Sequence, residues 1–134
     1  MRHIKATKIF FSAERPERTV VDNAMCTLAA FDDAERCEHF DTVRECDGIF
    51  DERPESAIIA FARPGHILEA IDYARDLAGR YNQDSILVVH GDDAAELVEC
   101  ETECSAIIGT FQRVAERGHG EDCSIIDGDV YVVR

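Results

Sequence analysis

Few side chains in this sequence have both the type and the spacing to carry chemistry. Four polar residues in a row, Asn82, Gln83, Asp84 and Ser85, fill the junction in "RYNQDSILVVH" between a helix-like and a strand-like segment. Turn chemistry accounts for Asn, Asp and Ser, which satisfy their own backbone groups between periodic segments. Gln83 is the odd member: its neutral amide either caps the loop or points at a ligand. Glu55 follows Pro54 just before the apolar run of "PESAIIAFA", yet as one of 28 acidic residues it reads, by type alone, as a solvated side chain. Ser12 closes the first apolar stretch and offers a hydroxyl there. Cys100 and Cys104 in "CETEC" form a C-x3-C spacing with no second pair and no histidine at ligand distance, and "HGDD" at His90 and "HGEDC" at His119 stand alone, so no metal is expected. There is no nucleophile triad and no glycine-rich phosphate loop.

The elements that must position these residues follow from periodicity. "IKATKIFFSAER" reads as a strand over Lys5–Ser12 ended by Pro16. In "RTVVDNAMCTLAAF" the residues Val20, Val21, Ala24, Leu28 and Phe31 recur at helical spacing behind Thr19 as N-cap. "DDAERCEH" reads as a solvated turn, and "FDTVRECDGIF" as a strand over Thr42–Cys46 with a turn at Asp47-Gly48. "ESAIIAFA" is a buried strand stopped by Pro64-Gly65. "HILEAIDYARDLAGRY" puts Ile67, Leu68, Ile71, Ala74, Ala78 and Tyr81 on one face and is the clearest helix of the chain. "SILVV", "AELVEC" and "AIIGTFQRV" read as strands, the last with a bulge at Gly109, and "CSIIDGDVYVV" as a hairpin turning at Asp127-Gly128. This order is α+β: a mostly antiparallel sheet covered by two helices, with a C-terminal β-hairpin.

At 134 residues the chain is expected to form one domain over 1–134. Its formal net charge of −14 repels nucleic acid and anionic membrane, so neither is expected as a partner. Acidity with few lysines also suits a salt-adapted protein. No apolar run spans a bilayer and "MRHIKATKIFF" has no signal-peptide pattern, which points to a soluble, cytoplasmic protein. The six cysteines are expected to be reduced thiols.

Four stretches in one order carry the reading further: "IFFSAER", "CDGIF" followed by "PESAIIAF", "YNQDSILVV", and "GTFQRV" leading to "CSIIDGDVYVV". Together, from about Phe10 to Val133, they resemble the small phage-encoded S-adenosylmethionine lyases, formerly called S-adenosylmethionine hydrolases. The chain departs from that pattern in a shortened loop between Gly48 and Glu55 and in Phe50, where tyrosine is frequent. The resemblance implies a ferredoxin-like, PII-like subunit with two helices on one face, assembled as a homotrimer with the sites between subunits. It implies S-adenosylmethionine as substrate and no cofactor, and a phage role in blunting restriction and methylation from within the host cytoplasm. It maps function onto Glu55 and Gln83 as the catalytic pair, with Asp84 beside Gln83; Ser12, Phe50, Ser56 and Asp84 are expected to contact substrate.

The chemistry so implied joins the substrate's own carboxylate to its Cγ, expelling 5′-methylthioadenosine and leaving homoserine lactone. Carboxylate and sulfonium lose their charges on the way to the transition state, so a dry pocket helps, and holding oxygen, carbon and sulfur in line helps more. Glu55 then belongs on the substrate ammonium rather than beside the sulfonium, whose ground state it would stabilise. Phe50 either walls the adenine or sulfonium or packs in the core. Two other readings stand beside this one: a PII-like regulator that binds a nucleotide without turnover, and an acidic decoy that binds a host defence protein.

Overall fold

The computed structural model describes residues 6–102 and 104–134, so the expected strand start at Lys5 lies outside the described residues. The elements run β1 (Lys8–Phe11), α1 (Val20–Glu35), β2 (Phe40–Phe50), β3 (Arg53–Ala62), α2 (Ile67–Arg80), β4 (Ser85–Val89), β5 (Ala94–Glu99), β6 (Ser105–Val114), β7 (Cys123–Ile126) and β8 (Asp129–Val133).

The sheet is not the open ferredoxin-like, PII-like sheet that the resemblance implied. All its pairings are antiparallel and they close into a barrel in the order β1-β3-β2-β7-β8-β6-β5-β4, with β1 completing the ring against β4. The C-terminal hairpin makes the difference. Rather than hanging at one edge, it inserts between β2 and β6: β7 pairs with β2 at Ile49↔Cys123, and β8 pairs with β6 at Phe111↔Val133. Closure gives every strand a neighbour on both sides, although some contacts are short: β7 covers only Asp47–Ile49 of β2, and β8 only Phe111–Val114 of β6.

Strand alternation then builds two apolar layers. Ile9, Phe11, Ile58, Ala60, Ile86 and Val88 face outward and are covered by the helices. Their neighbours Phe10, Ala57, Ile59, Val89 and Phe111 face into the barrel. β1, β3 and β4 are thus buried on both sides, which is why "KIFF", "AIIA" and "SILVV" read as continuous apolar runs. Each fully buried Ile or Val contributes on the order of 1.5–3 kcal/mol.

α1 starts as expected, with the Thr19 side chain accepting from the Asp22 N–H at 3.1 Å. It presents the other face, however. Asn23, Thr27, Ala30 and Ala34 are buried, while Val20, Val21 and Leu28 are 86, 67 and 68% exposed. Small side chains three and four residues apart let the helix lie close on the strands, and Ala34 extends that row, so the expected turn at "DDAE" is the last turn of the helix. α2 buries Ala70, Ala74, Leu77 and Ala78 and leaves Leu68 76% exposed.

The expected turn at Asp47-Gly48 is also absent: β2 runs straight through it, paired with β3 as far as Phe50↔Arg53. The turn is Asp51-Glu52, both left-handed at φ 49° and 61°, the two-residue connection whose twist suits a hairpin. Gly48 is in the strand because the Phe50 ring and the Cys123 carbonyl occupy the space a Cβ would need. The bulge at Gly109 is present, as Ala95 pairs with Gly109 and Glu96 with Ile107, leaving Ile108 over. The Asp127-Gly128 turn closes β7 and β8 at φ 52° and 82°.

Candidate active site

β1 and β2 finish, and β3, β4 and β7 begin, at the same end of the barrel. A cavity of about 600 Å³ opens there, within the size range of small-molecule sites. Its inner wall is apolar and aromatic, from Phe10, Leu87, Phe111 and Tyr131. The Phe111 and Tyr131 rings stack with centroids 5.1 Å apart, and Phe10 leans on Phe111 at 5.3 Å. The mouth is acidic: Asp51, Glu55, Asp84, Glu121 and Asp122 line it, against the single cation Arg15 among the described residues.

Five of the six expected site residues, Ser12, Phe50, Glu55, Gln83 and Asp84, line this one cavity although they come from four separate stretches of chain. Ser56 does not; it lines a shallow groove on the other side of the Glu55 backbone, with Glu14 and Pro54. Phe50 is half-buried with its ring across Gly48, which makes it part of the cavity wall. Asp84 is exposed at the rim.

Glu55 is half-buried, and its carboxyl is pushed above the ordinary value of 4.5, chiefly by that burial. The Ser12 hydroxyl acts in the opposite direction, the Glu14 charge adds to the rise, Arg53 opposes it and Asp51 adds a little. Glu121 is its counterpart. Arg134 grips it with Nε and Nη2 at 3.0 and 2.9 Å and the Gly118 N–H donates to it, so that its carboxyl is held at about 2.

Two loops meet beneath the mouth, the one after β1 and the one before β4. The Gln83 amide Nε2 donates to the Glu14 carbonyl at 2.8 Å, so this end of Gln83 closes the loop while its side chain still borders the cavity. Arg15 Nη1 donates to the Asn82 carbonyl at 3.0 Å, and Arg18 Nη2 to the Tyr81 carbonyl at 3.0 Å. Asn23, buried on α1, accepts from the Arg15 N–H at 2.8 Å and donates to the Arg15 carbonyl at 2.9 Å. These interactions fix the loop that carries Ser12.

Residue pattern alone singled out none of Glu14, Arg15 or Asn23. Glu14 bonds to residues 42 and 69 positions away, so no local spacing marks it. Glu14 and Arg15 both stand inside "IFFSAER", and that stretch is the one available signal.

The S-adenosylmethionine lyase family matches residues 9–134. The chain belongs to that family. It is an S-adenosylmethionine lyase, an enzyme that degrades that sulfonium compound. No curated protein matches the chain. Family membership agrees with an aromatic cavity ringed by carboxylates, since the substrate carries a sulfonium and an ammonium. Membership of a lyase family weighs against a PII-like regulator without turnover, the alternative raised with the shortened loop at Phe50. Among the described residues no helix is long and apolar enough to cross a membrane.

Proposed function

We propose that this lyase cleaves S-adenosylmethionine by attack of the substrate's own carboxylate on its Cγ. One O–Cγ bond forms and the Cγ–S bond breaks. The electron pair passes to sulfur, which leaves as the neutral thioether 5′-methylthioadenosine, and the remainder is L-homoserine lactone. The observation that carries this reading is the division of the cavity: aromatic wall inside, Glu55 at the mouth. Glu55 takes the substrate ammonium in a charge-assisted hydrogen bond, and the methionyl chain folds inward so that oxygen, carbon and sulfur align. The sulfonium rests against aromatic faces, which attract a cation by about 0.5–2 kcal/mol without adding a carboxylate beside it. Phe50, Ser12 and Asp84 border the bound substrate, and the Gln83 amide orients it.

The enzyme acts as a homotrimer with its active sites between subunits. Support comes from α1, whose exposed Val20, Val21, Met25 and Leu28 form an apolar face of the kind that marks association surfaces. In a host cytoplasm, removal of S-adenosylmethionine starves restriction and methylation systems, which gives a phage counter-defence role.

The test is heavy-oxygen water. Lactone appears before homoserine, and the homoserine formed later carries label in its carboxylate, because water enters when the ring opens at the acyl carbon. Label in the side-chain hydroxyl from the first turnover would mean direct attack of water on Cγ and would reject the intramolecular mechanism. Light scattering reporting a fully active monomer would reject the shared-site assembly.

A further inference from the structure

β1 and β3 stop pairing at Phe11↔Ile58, two residues before the strand reaches Ser56 and three before Glu55. Nothing in the β1 ladder therefore holds Glu55 in place on that side. Side chains of the following loop take over. The Ser12 hydroxyl donates to the Ser56 carbonyl at 3.3 Å, and the Ser56 N–H donates to the Glu14 carboxylate. Glu14 is tied at its own backbone as well: its N–H donates to the Ser12 hydroxyl at 3.0 Å, and its carbonyl accepts from the Gln83 amide at 2.8 Å.

We propose that Glu14 is a positioning residue for Glu55: its carboxylate and both of its backbone polar groups join Ser12, Gln83 and the Ser56 peptide into one clamp that aims the Glu55 carboxylate into the cavity. The inference rests on the reading of Glu55 as the ammonium anchor. It also gives Gln83 a definite task, because the amide that borders the cavity holds the clamp from behind. Glu14 and Glu55 share the groove behind the cavity mouth, so the clamp places a second negative charge near the anchor. The groups that act on Glu55 are burial first, then Ser12, Glu14, Arg53 and Asp51, and of these Glu14 is the larger of the two acids. Removing its charge lowers the proton affinity of Glu55 without cancelling the rise due to burial.

Two substitutions separate geometry from charge. Glu14→Gln keeps an acceptor for the Ser56 N–H and removes the charge, whereas Glu14→Ala removes both. Expected is a loss of tenfold or more in kcat/KM for Glu14→Ala, with most of it recovered in Glu14→Gln. The acid limb of the pH profile in Glu14→Gln moves to lower pH, and the Glu55 carboxyl, titrated by carbon NMR, moves the same way. In a Glu55→Gln background Glu14→Ala adds little. Circular dichroism and melting confirm that each variant is folded. Equal losses in both single variants, an unmoved Glu55 titration, or a full further loss in the Glu55→Gln background would overturn the proposal. The NMR titration is independent of turnover. A Glu55→Gln enzyme with wild-type activity would instead reject the reading of Glu55 as anchor, whatever Glu14 does to its titration.

Discussion

Glu55→Gln sets function against stability at one side chain. The change keeps size and removes a charge from a half-buried position at the cavity mouth. On the proposed reading it weakens a charge-assisted hydrogen bond to the substrate ammonium, worth about 1.5–3 kcal/mol, or roughly ten- to a hundredfold in kcat/KM. The ammonium keeps its charge throughout the reaction, so the lost bond itself appears in KM, and lost alignment of the methionyl chain appears in kcat. Stability moves the other way. Burial raises the Glu55 carboxyl above 4.5 in the folded state, so the folded chain holds this proton more tightly than the unfolded one. A group shifted in that direction contributes stability below its unfolded value and loses it as pH rises through its folded value. At pH 7 the ionised Glu55 is therefore a cost, and the neutral amide relieves it. Chromatography of 5′-methylthioadenosine gives the rates, and melting at pH 5 and pH 7 gives the stability. We expect kcat/KM to fall at least tenfold while the melting temperature at pH 7 holds or rises. Activity within about threefold of wild type, or a lower melting temperature at pH 7 than at pH 5 relative to wild type, would refute the reasoning.

Asn23→Ala removes the amide that satisfies both backbone groups of Arg15 and should cost about 1–3 kcal/mol in denaturant unfolding, with turnover reduced as the Ser12 loop loosens; an unchanged midpoint would contradict the role given to that amide. Because five acids and one arginine line the cavity mouth, kcat/KM should fall with rising ionic strength while kcat stays constant, and a salt-insensitive kcat/KM would show that these charges do not steer the cationic substrate. Burial pushes the Cys46 thiol up to about 12, so a thiol reagent at neutral pH should modify exposed Cys104 in the folded protein and leave Cys46 intact by mass spectrometry; modification of both at one rate would mean the barrel interior is open.

What was legible in the sequence was local. The Thr19 cap, the extent of α2, the "SILVV" strand and the Asp127-Gly128 turn each depend on a few adjacent residues, and each is where the pattern put it, although α2 buries Ala70 and Leu77 where Ile67 and Leu68 were expected. Closure of the barrel was not legible, because nothing within "CSII" or "DVYVV" says that one takes the edge of β2 and the other the edge of β6. The buried face of α1 was misread for a related reason. Hydrophobicity pointed to Val20, Val21 and Leu28, but proximity to the strands selects Asn23, Thr27, Ala30 and Ala34, whose small size allows it. Gly48 was taken for a turn because its reason for being glycine, the Phe50 ring lying over it, exists only once β2 is extended. At the cavity, the convergence of Ser12, Phe50, Glu55, Gln83 and Asp84 was readable through the order of the family's motifs; Glu14 lies in the same "IFFSAER" stretch, but its bonds cross 42 and 69 positions and no local spacing gave it a role, and Asn23 lies outside those stretches.

The acidic mouth sets a constraint on where the reaction can occur. At an effective dielectric of about 20, a carboxylate 4 Å from the sulfonium stabilises it by about 4 kcal/mol, and at 10 Å by less than about 2. Because the sulfonium is neutral once the Cγ–S bond has broken, most of that stabilisation is lost at the transition state and adds to the barrier; at 4 Å this amounts to a factor of up to roughly a thousand. The same carboxylates are useful farther out, where they draw in a cationic substrate and lose little when its charge disappears. A cavity with acids at the mouth and Phe10, Phe111 and Tyr131 within meets both demands, provided the sulfur lies against the rings and the ammonium at Glu55. Glu121 strengthens the case, since its carboxyl is fully engaged by Arg134 and the Gly118 N–H and so presents little net charge to the interior. On the proposed mechanism the acidic rim serves capture, and the barrel's aromatic interior serves the charge-annihilating step.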